Sequence, residues 1–420
     1  MRQVLASSWA LLLGIGLLMI GNGLQASLMG VRGSLEGFST FELSLVTSAY
    51  FLGFLGGSRA TPEMIRRVGH VRVFAALGSF ISAVLILFPT VTEPWAWTIL
   101  RVVIGFCFSG VYVTAESWLN NAATNETRGQ TLSMYMVVQM MGIIAAQMIL
   151  GAGDPGGFVI FIIPSVLVSI AFAPILLSIS PTPAFGTTKA MKLTELFHAS
   201  PLSFVGMTLM GGVFASIFGM SSVYASEIGM EVREVSIFVA SFFVGSLVMQ
   251  YPIGWVSDRM DRRQLIMVVA AVGGVFALGG YFLADSFLVL IVVAFAIGGS
   301  ANPLYSLLIA YLNDYMEPDD MAAASGGLIF LNGLGAIVGP LLTGYLMGQL
   351  GNHIFWLFNA TLMLAVAAYS LYRMTQRPAT PVDETVAYVG VMPTSSLVAV
   401  EAAQEWAHEQ SEAEEEQQAI

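Results

Sequence analysis

The sequence predicts an all-α membrane protein of twelve transmembrane helices, arranged as two six-helix halves in parallel repeat. Three observations lead there. Of the 420 residues, 56% are hydrophobic and 10% charged, with a mean hydropathy of +0.78. A soluble domain carries roughly 25% charged residues, so this composition does not cover a water-facing surface. The apolar runs are ~20 residues long, the length of a membrane-crossing helix, whereas a barrel strand shows ~10-residue alternation. Finally, residues of the first half recur in the second at a nearly constant offset of 192 or 193 positions. In lipid only helices or closed barrels satisfy every backbone group, and the run length selects helices.

Breaks at charge, proline and glycine place spans at 8–29, 41–61, 72–91, 95–119, 130–151, 158–179, 201–224, 234–256, 264–284, 287–312, 322–348 and 353–373. Arg2 ahead of the first span imitates a secretory signal. The apolar stretch that follows exceeds the roughly 7–15 residues of a signal core, and Gln25-Ala26-Ser27 makes a poor cleavage site. It reads as a membrane helix. The longest gap, 180–200, carries Pro181, Pro183, Lys189 and Lys192. It serves as a linker between an N-terminal half at 1–179 and a C-terminal half at 201–375, with an acidic tail at 376–420.

Basic residues orient the bundle. With the N-terminus in the cytoplasm, thirteen of the sixteen Lys and Arg residues fall in inner loops or at inner helix ends. Arg32 and Arg233 fall outside, and Arg101 lies within a span. This is the positive-inside pattern, and it predicts a multi-pass protein with both termini and the linker in the cytoplasm.

The formal net charge of −11 is chiefly a property of the tail, where nine Asp or Glu and no Lys or Arg follow Pro378. A solvated, disordered tail is expected, with a short helix near 396–416 as the alternative. Nothing basic invites a nucleic-acid partner. The single cysteine, Cys107, excludes an internal disulfide and a cysteine metal cluster. His70, His198, His353 and His408 fall in loops, at span ends or in the tail, so no metal, histidine relay or cofactor is expected. Gly326-Gly327 and Gly333-x-Gly335 lack a Walker lysine and read as helix-packing sites, which argues against an ATPase. The spans hold neither paired catalytic carboxylates nor a Ser/His arrangement, so an enzyme is not expected.

The repeat is specific. An offset of 193 places Gly105 on Gly298, Tyr112 on Tyr305, Leu119-Asn120 on Leu312-Asn313 and Gly142 on Gly335. An offset of 192 places Ser44 on Ser236, Phe51 on Phe243, Gly53 on Gly245 and Arg67 on Arg259. Two halves that start on the same side suit a rocking motion about a central site.

Charges inside the bilayer cost roughly 2.5–3.5 kcal/mol each on insertion scales, so they face a protein interior or a cavity. Two lie well within spans, Arg101 and Glu116, both on the fourth. At about 100° per residue, Gly105, Ser109, Tyr112 and Glu116 fall near the face of Arg101 and form one polar stripe. Glu116 lies ~22 Å further along the helix, too far to pair with Arg101 directly. Two roles stay open for each. Arg101 either attracts an anionic group or serves as a hydrogen-bond hub. Glu116 either carries a proton or partners Arg128 or the loop arginines. Gln139 and its repeat mate Asn332 form a candidate substrate-facing amide pair, with interhelical packing as the alternative. Asn22 and Gln25 on the first span, with Asn302, Pro303 and Tyr305 on the tenth, complete a central ring.

Between the eighth and ninth spans runs Gly254-Trp-Val-Ser-Asp258-Arg259-Met-Asp261-Arg262-Arg263. This segment resembles the signature loop of the major facilitator superfamily: a glycine, three residues, Asp-Arg and a basic cluster. In the first half the matching place, Gly57 to Arg72, has Arg66-Arg67-Val-Gly69-His70 and no aspartate. Arg101-x3-Gly105 resembles the second motif of that family, and Gly335-x3-Gly339-Pro340 its glycine–proline pattern. More narrowly, Glu116-Ser-Trp-Leu-Asn-Asn, Thr124-Asn-x-x-Arg128-Gly129 and Pro303-Leu-Tyr-Ser are similar to the YcaD-like bacterial branch. The resemblance covers about residues 5–375. It implies the major facilitator fold and a location in the bacterial inner membrane. It also implies a gating charge network of Asp258, Arg259, Arg262 and Arg263 on the inner face.

The reading that follows is a secondary active transporter of a small solute, working by alternating access and coupled to protons through Glu116. The substrate-binding residues are Asn22, Gln25, Arg101, Tyr112, Gln139, Asn302, Tyr305 and Asn332. Its partners are the solute, the lipid bilayer and protons, and the chain is expected to act as a monomer. A non-transporting receptor or assembly factor on the same scaffold is the alternative.

Overall fold

The computed structural model describes residues 2–123, 127–177, 191–284, 286–378, 380–381 and 385–418. Among the described residues there are fifteen α-helices and no strand. The first set comprises α1 (Arg2–Leu35), α2 (Thr40–Val68), α3 (His70–Leu87), α4 (Pro94–Ala122), α5 (Arg128–Ala152) and α6 (Val159–Leu177). A short α7 (Leu193–Ala199) precedes the second set. That set comprises α8 (Pro201–Ala215) running through a π-turn into α9 (Ser221–Glu227), then α10 (Val232–Ser257), α11 (Arg262–Phe282), α12 (Phe287–Asn313), α13 (Pro318–Leu350) and α14 (Ile354–Met374). A last helix, α15 (Leu397–Gln418), lies in the tail.

Among the described residues eleven helical segments are long and apolar enough to cross a membrane, matching eleven of the twelve expected spans. The remaining expected span falls on α2, whose 29 residues pack within the bundle but interleave Gly, Ser and Thr and end on Glu63, Arg66 and Arg67, so it does not reach that apolarity. Local signals set the boundaries. Ser39 and Glu42 form a capping box at the start of α2, with the Ser39 N–H donating to Glu42 at 2.8 Å. Gly69, at φ 85°, ends α2 in a conformation that a side chain disfavours and turns the chain directly into α3. Pro94 and Pro201 start α4 and α8, where a missing N–H costs nothing.

The packing of the first set recurs in the second. Helix α1 lies on α5 and α6, α2 on α4, and α3 on α4 and α6. Correspondingly, α8 lies on α13 and α14, α10 on α12, and α11 on α12 and α14. Repeated glycines allow it. A Cβ on Gly53 would sit 1.9 Å from the Val102 carbonyl oxygen, and one on Gly245, its repeat mate, 2.0 Å from that of Phe295. Without a hydrophobic force between helices in lipid, such backbone contact supplies the association.

The two sets meet through α2 with α13 and α5 with α10. At the end of the bundle away from the basic loops they also touch directly. There Ser34 donates to Glu227 at 3.3 Å, and Gly30 packs under Ser222.

One expectation changes, and another falls largely outside the described residues. The linker at 180–200 lies outside the described residues up to 190, and its remainder forms α7, which buries Leu196. The tail, expected to be disordered with a short helix near 396–416 as the alternative, runs without regular structure from residue 385 and then forms α15, as in that alternative. Its acidity hides an apolar pattern: Val391, Met392, Val400, Ala402 and Ala403 are all buried against the bundle. Burial of these side chains offsets the ordering cost that composition alone assigned to the segment.

Candidate functional site

The polar stripe of α4 is the spine of the site. Near one end Arg101 is buried, with Nε donating to the Val46 carbonyl at 3.3 Å and a second nitrogen to the Gln25 side-chain oxygen. Its guanidinium lies 4.6 Å from the centre of the Tyr50 ring. Gln25 in turn donates to Asn22 at 2.9 Å, and Asn22 donates to the Tyr112 hydroxyl at 2.6 Å and accepts from Tyr50 at 3.2 Å. Four expected residues, Asn22, Gln25, Arg101 and Tyr112, thus form one buried network within the first set. Tyr50 completes it.

Further along α4, Glu116 is buried and accepts from the Tyr135 hydroxyl and from the Ser396 main-chain N–H at 2.8 Å. The ion pairs of Arg128 run to Glu405 at 2.9 Å and Glu409 at 3.7 Å. Among the described residues no Lys or Arg lies at ion-pair distance from Glu116, so the structural role that made it a partner of Arg128 is not the one seen.

In the second set Asn302 donates to Gln250 at 2.9 Å, and Gln250 donates to Ser306 at 3.1 Å and to Tyr388 of the tail at 2.7 Å. Tyr305 is buried one position from this cluster, and its hydroxyl has no hydrogen-bond partner among the described residues. Gln139 and Asn332 are buried as well, each with a side-chain oxygen that has no partner among the described residues. Asn332 lines a small gap with Thr394. Beside it, a cavity of about 410 Å³ opens between α2, α4, α13 and the tail, lined by Phe54, Arg59, Ser109, Phe330 and Ser396 among others.

The signature loop departs from a single Asp–Arg cluster. Asp258 accepts the Tyr388 N–H at 2.8 Å and stands 3.6 Å from Arg262. Arg262, almost fully buried, forms its short ion pair with Asp314 at the end of α12. Burial pushes the Asp314 carboxyl up to about 6, against the opposing pull of Arg262. Arg263 pairs with Asp261 at 2.8 Å, and Arg259 lies over the Trp255 ring at 4.2 Å. In the first set, where the loop lacks its aspartate, Glu63 takes both Arg66 and Arg67.

The sequence reading missed Tyr50, Tyr135, Gln250, Ser306 and Asp314. Gln250 had a signal, being a lone amide in an apolar run, and Tyr135 stands one helical turn before Gln139. Asp314 follows Asn313, the repeat mate of Asn120, and was equally legible.

Comparisons with known proteins agree with this architecture. The chain is 25% identical over 383 residues to an uncharacterised MFS-type transporter of Yersinia enterocolitica, covering 88% of this chain and 96% of that one. It is 23% identical over 376 residues to the MFS-type transporter YcaD of Salmonella arizonae, again covering 88% and 96%. Its fold is similar to the crystal structure of the nucleoside transporter NupG in a D323A mutant. The TM-score is 0.75 and the identity 16%, over 87% of this chain and 99% of that one. It is also similar to a bacterial homolog of the human lysosomal transporter Spinster, solved inward-facing and unoccupied. There the TM-score is 0.66 and the identity 13%, over 96% and 97% of the two chains. The Major Facilitator Superfamily model matches residues 11–237 and again 202–402, so nearly the whole bundle is accounted for, and the chain belongs to the major facilitator superfamily.

Proposed function

We propose that this membrane transporter moves a small solute across the bacterial inner membrane by alternating access, drawing on the proton gradient through Glu116. The observation that carries the reading is the setting of that carboxylate. It is buried on α4, held by a tyrosine and a main-chain N–H, and has no basic partner among the described residues. A carboxylate kept from water and from cations is costly when charged, which is the requirement for a group that gains and loses a proton during a cycle. One charge crossing the membrane yields ~2.3 kcal/mol per 100 mV, enough to drive accumulation.

In this proposal Asn22, Gln25, Arg101 and Tyr112 form the substrate-facing wall of the first set, and Asn302, Tyr305 and Asn332 that of the second. Gln139 belongs with them. The orphaned oxygens of Gln139, Tyr305 and Asn332 support this assignment, because a buried polar atom without a partner costs roughly 1–3 kcal/mol that a solute could relieve. Asp258, Arg259, Arg262 and Arg263 act as an inner-face latch of the second set, with Asp314 as the main anchor of Arg262. Both termini lie in the cytoplasm, and the chain works as a monomer.

The test is reconstitution. Solutes that raise the melting temperature of the purified protein should accumulate in proteoliposomes under an imposed proton gradient. If every such solute binds and none crosses, the receptor alternative replaces this reading.

A further inference from the structure

The tail does not lie against the outside of the bundle. From Val386 to Gln404 it runs between the two sets at their basic end and takes hydrogen bonds from both. Its partners in the second set are numerous. Val386 donates to Asp314 at 3.2 Å, and Tyr388 donates to Asp258 at 2.8 Å. Ser306 exchanges two bonds with the Val391 main chain, each 3.0 Å. Gln404 donates to Asn313 at 2.7 Å and to Ser325 at 2.6 Å. In the first set Ser396 donates to Glu116, Arg128 pairs with Glu405, and the Trp406 ring covers Gly129. Gly390 sits between Gln250 of the second set and Met136 of the first.

We propose that the vestibule at the basic end is a peptide-binding site, and that residues 386–404 of this chain, irregular up to Ser396 and helical from Leu397, are its built-in, exchangeable ligand. Between Val386 and Ser396 most of the recognition goes to main-chain N–H and C=O groups of the tail, while Val391, Met392 and, on α15, Val400 supply the apolar contact. The bound segment spans both sets, so their relative motion requires its release. It also occupies Glu116, so solute or proton reaches that carboxylate from the basic end only after the tail leaves. Docking is incomplete in a way that favours exchange: among the described residues the buried Gln404 side-chain oxygen has no hydrogen-bond partner. Such an atom costs roughly 1–3 kcal/mol, which weakens the bound state without abolishing it.

The test needs no known substrate, so its failure is distinguishable from failure of the transport reading. Leu132 on α5 lines one small gap together with Ala399 and Ala402 of α15. In a Cys107→Ser, Leu132→Cys chain, a membrane-impermeant maleimide applied to inverted vesicles reports whether the tail is in place. A chain ending at Pro381 should label at least about tenfold faster than the full chain, because protection reflects the closed fraction. A synthetic peptide of residues 385–410 should restore protection of the shortened chain. Should the shortened chain fail to fold, Ser396→Pro with Arg128→Glu removes two anchors in the full chain and should also speed labelling. Equal labelling with and without the tail, no protection by the peptide, or an unchanged rate in the full-length double variant overturns the proposal.

Discussion

The main-chain N–H of Ser396 donates to the carboxylate of Glu116 at 2.8 Å, across 280 positions of the chain. The Tyr135 hydroxyl completes the pair of donors, and both are buried with the acid. Glu116→Ala leaves a hydroxyl and an amide without their acceptor, a loss of about 2 kcal/mol or more. The melting temperature in detergent should fall clearly. Glu116→Gln keeps an acceptor oxygen and should lose less than half as much. Equal losses for the two variants would show that the hydrogen bonds contribute little.

Helix contact in this bundle runs through glycine. A Cβ on Gly298 would lie 1.9 Å from the Phe242 carbonyl oxygen, which is backbone and cannot rotate away. Gly298→Ala should therefore separate α10 from α12 and lower stability by about 1–3 kcal/mol, as overpacking does. Gly279, with nothing within 4 Å of its Cβ direction, provides the control. Its alanine variant should melt with the parent; if Gly298→Ala does so too, the close contact is not needed.

The Asp261–Arg263 pair gives a pH signature. Burial raises the Asp261 carboxyl, but the Arg263 hydrogen bonds and charge outweigh it and hold the group below its ordinary value. A lowered folded value means that the stabilisation is present above the unfolded value of about 3.9 and is lost as pH falls through the folded one. Asp261→Asn should cost about 1 kcal/mol at pH 7, since the pair is only partly exposed, and the difference should close below about pH 4. A gap that stays constant down to acid pH would assign the effect to the α11 cap instead.

The fold was legible because its signals are long and repeated. Runs of apolar residues placed the spans, and the constant offset between Gly53 and Gly245 anticipated packing that the structure shows in both sets. Even so, α2 shows the limit of apolarity as a guide, since its glycines and serines serve packing and not lipid. The candidate site was legible residue by residue but not in its grouping. Asn22, Gln25, Arg101 and Tyr112 share one network because three helices cross there, which no spacing reveals. The tail misled for a physical reason. Nine acids dominated the reading, while the short apolar run from Val386 to Val400 decides the packing. Asp314 was legible beside Asn313, but its pairing with Arg262 was not, because the two lie far apart in sequence.

Topology is open to a direct check. Alkaline-phosphatase fusions after Arg128 or Lys192 should be inactive, while fusions near Arg32 or Arg233 should be active, given thirteen basic residues on one side and two on the other. The reverse pattern would invert the bundle and place the acidic tail outside.

Proton coupling through Glu116 is the central claim, and one side-by-side comparison addresses it. Once a solute is found, accumulation driven by a proton gradient and counterflow exchange without one should be measured in the same proteoliposomes. The parent protein should perform both. Glu116→Gln, which cannot release a proton, should abolish accumulation while exchange continues at a rate within a few-fold of the parent. Accumulation that survives in the Gln variant, with exchange also intact, would contradict the assignment.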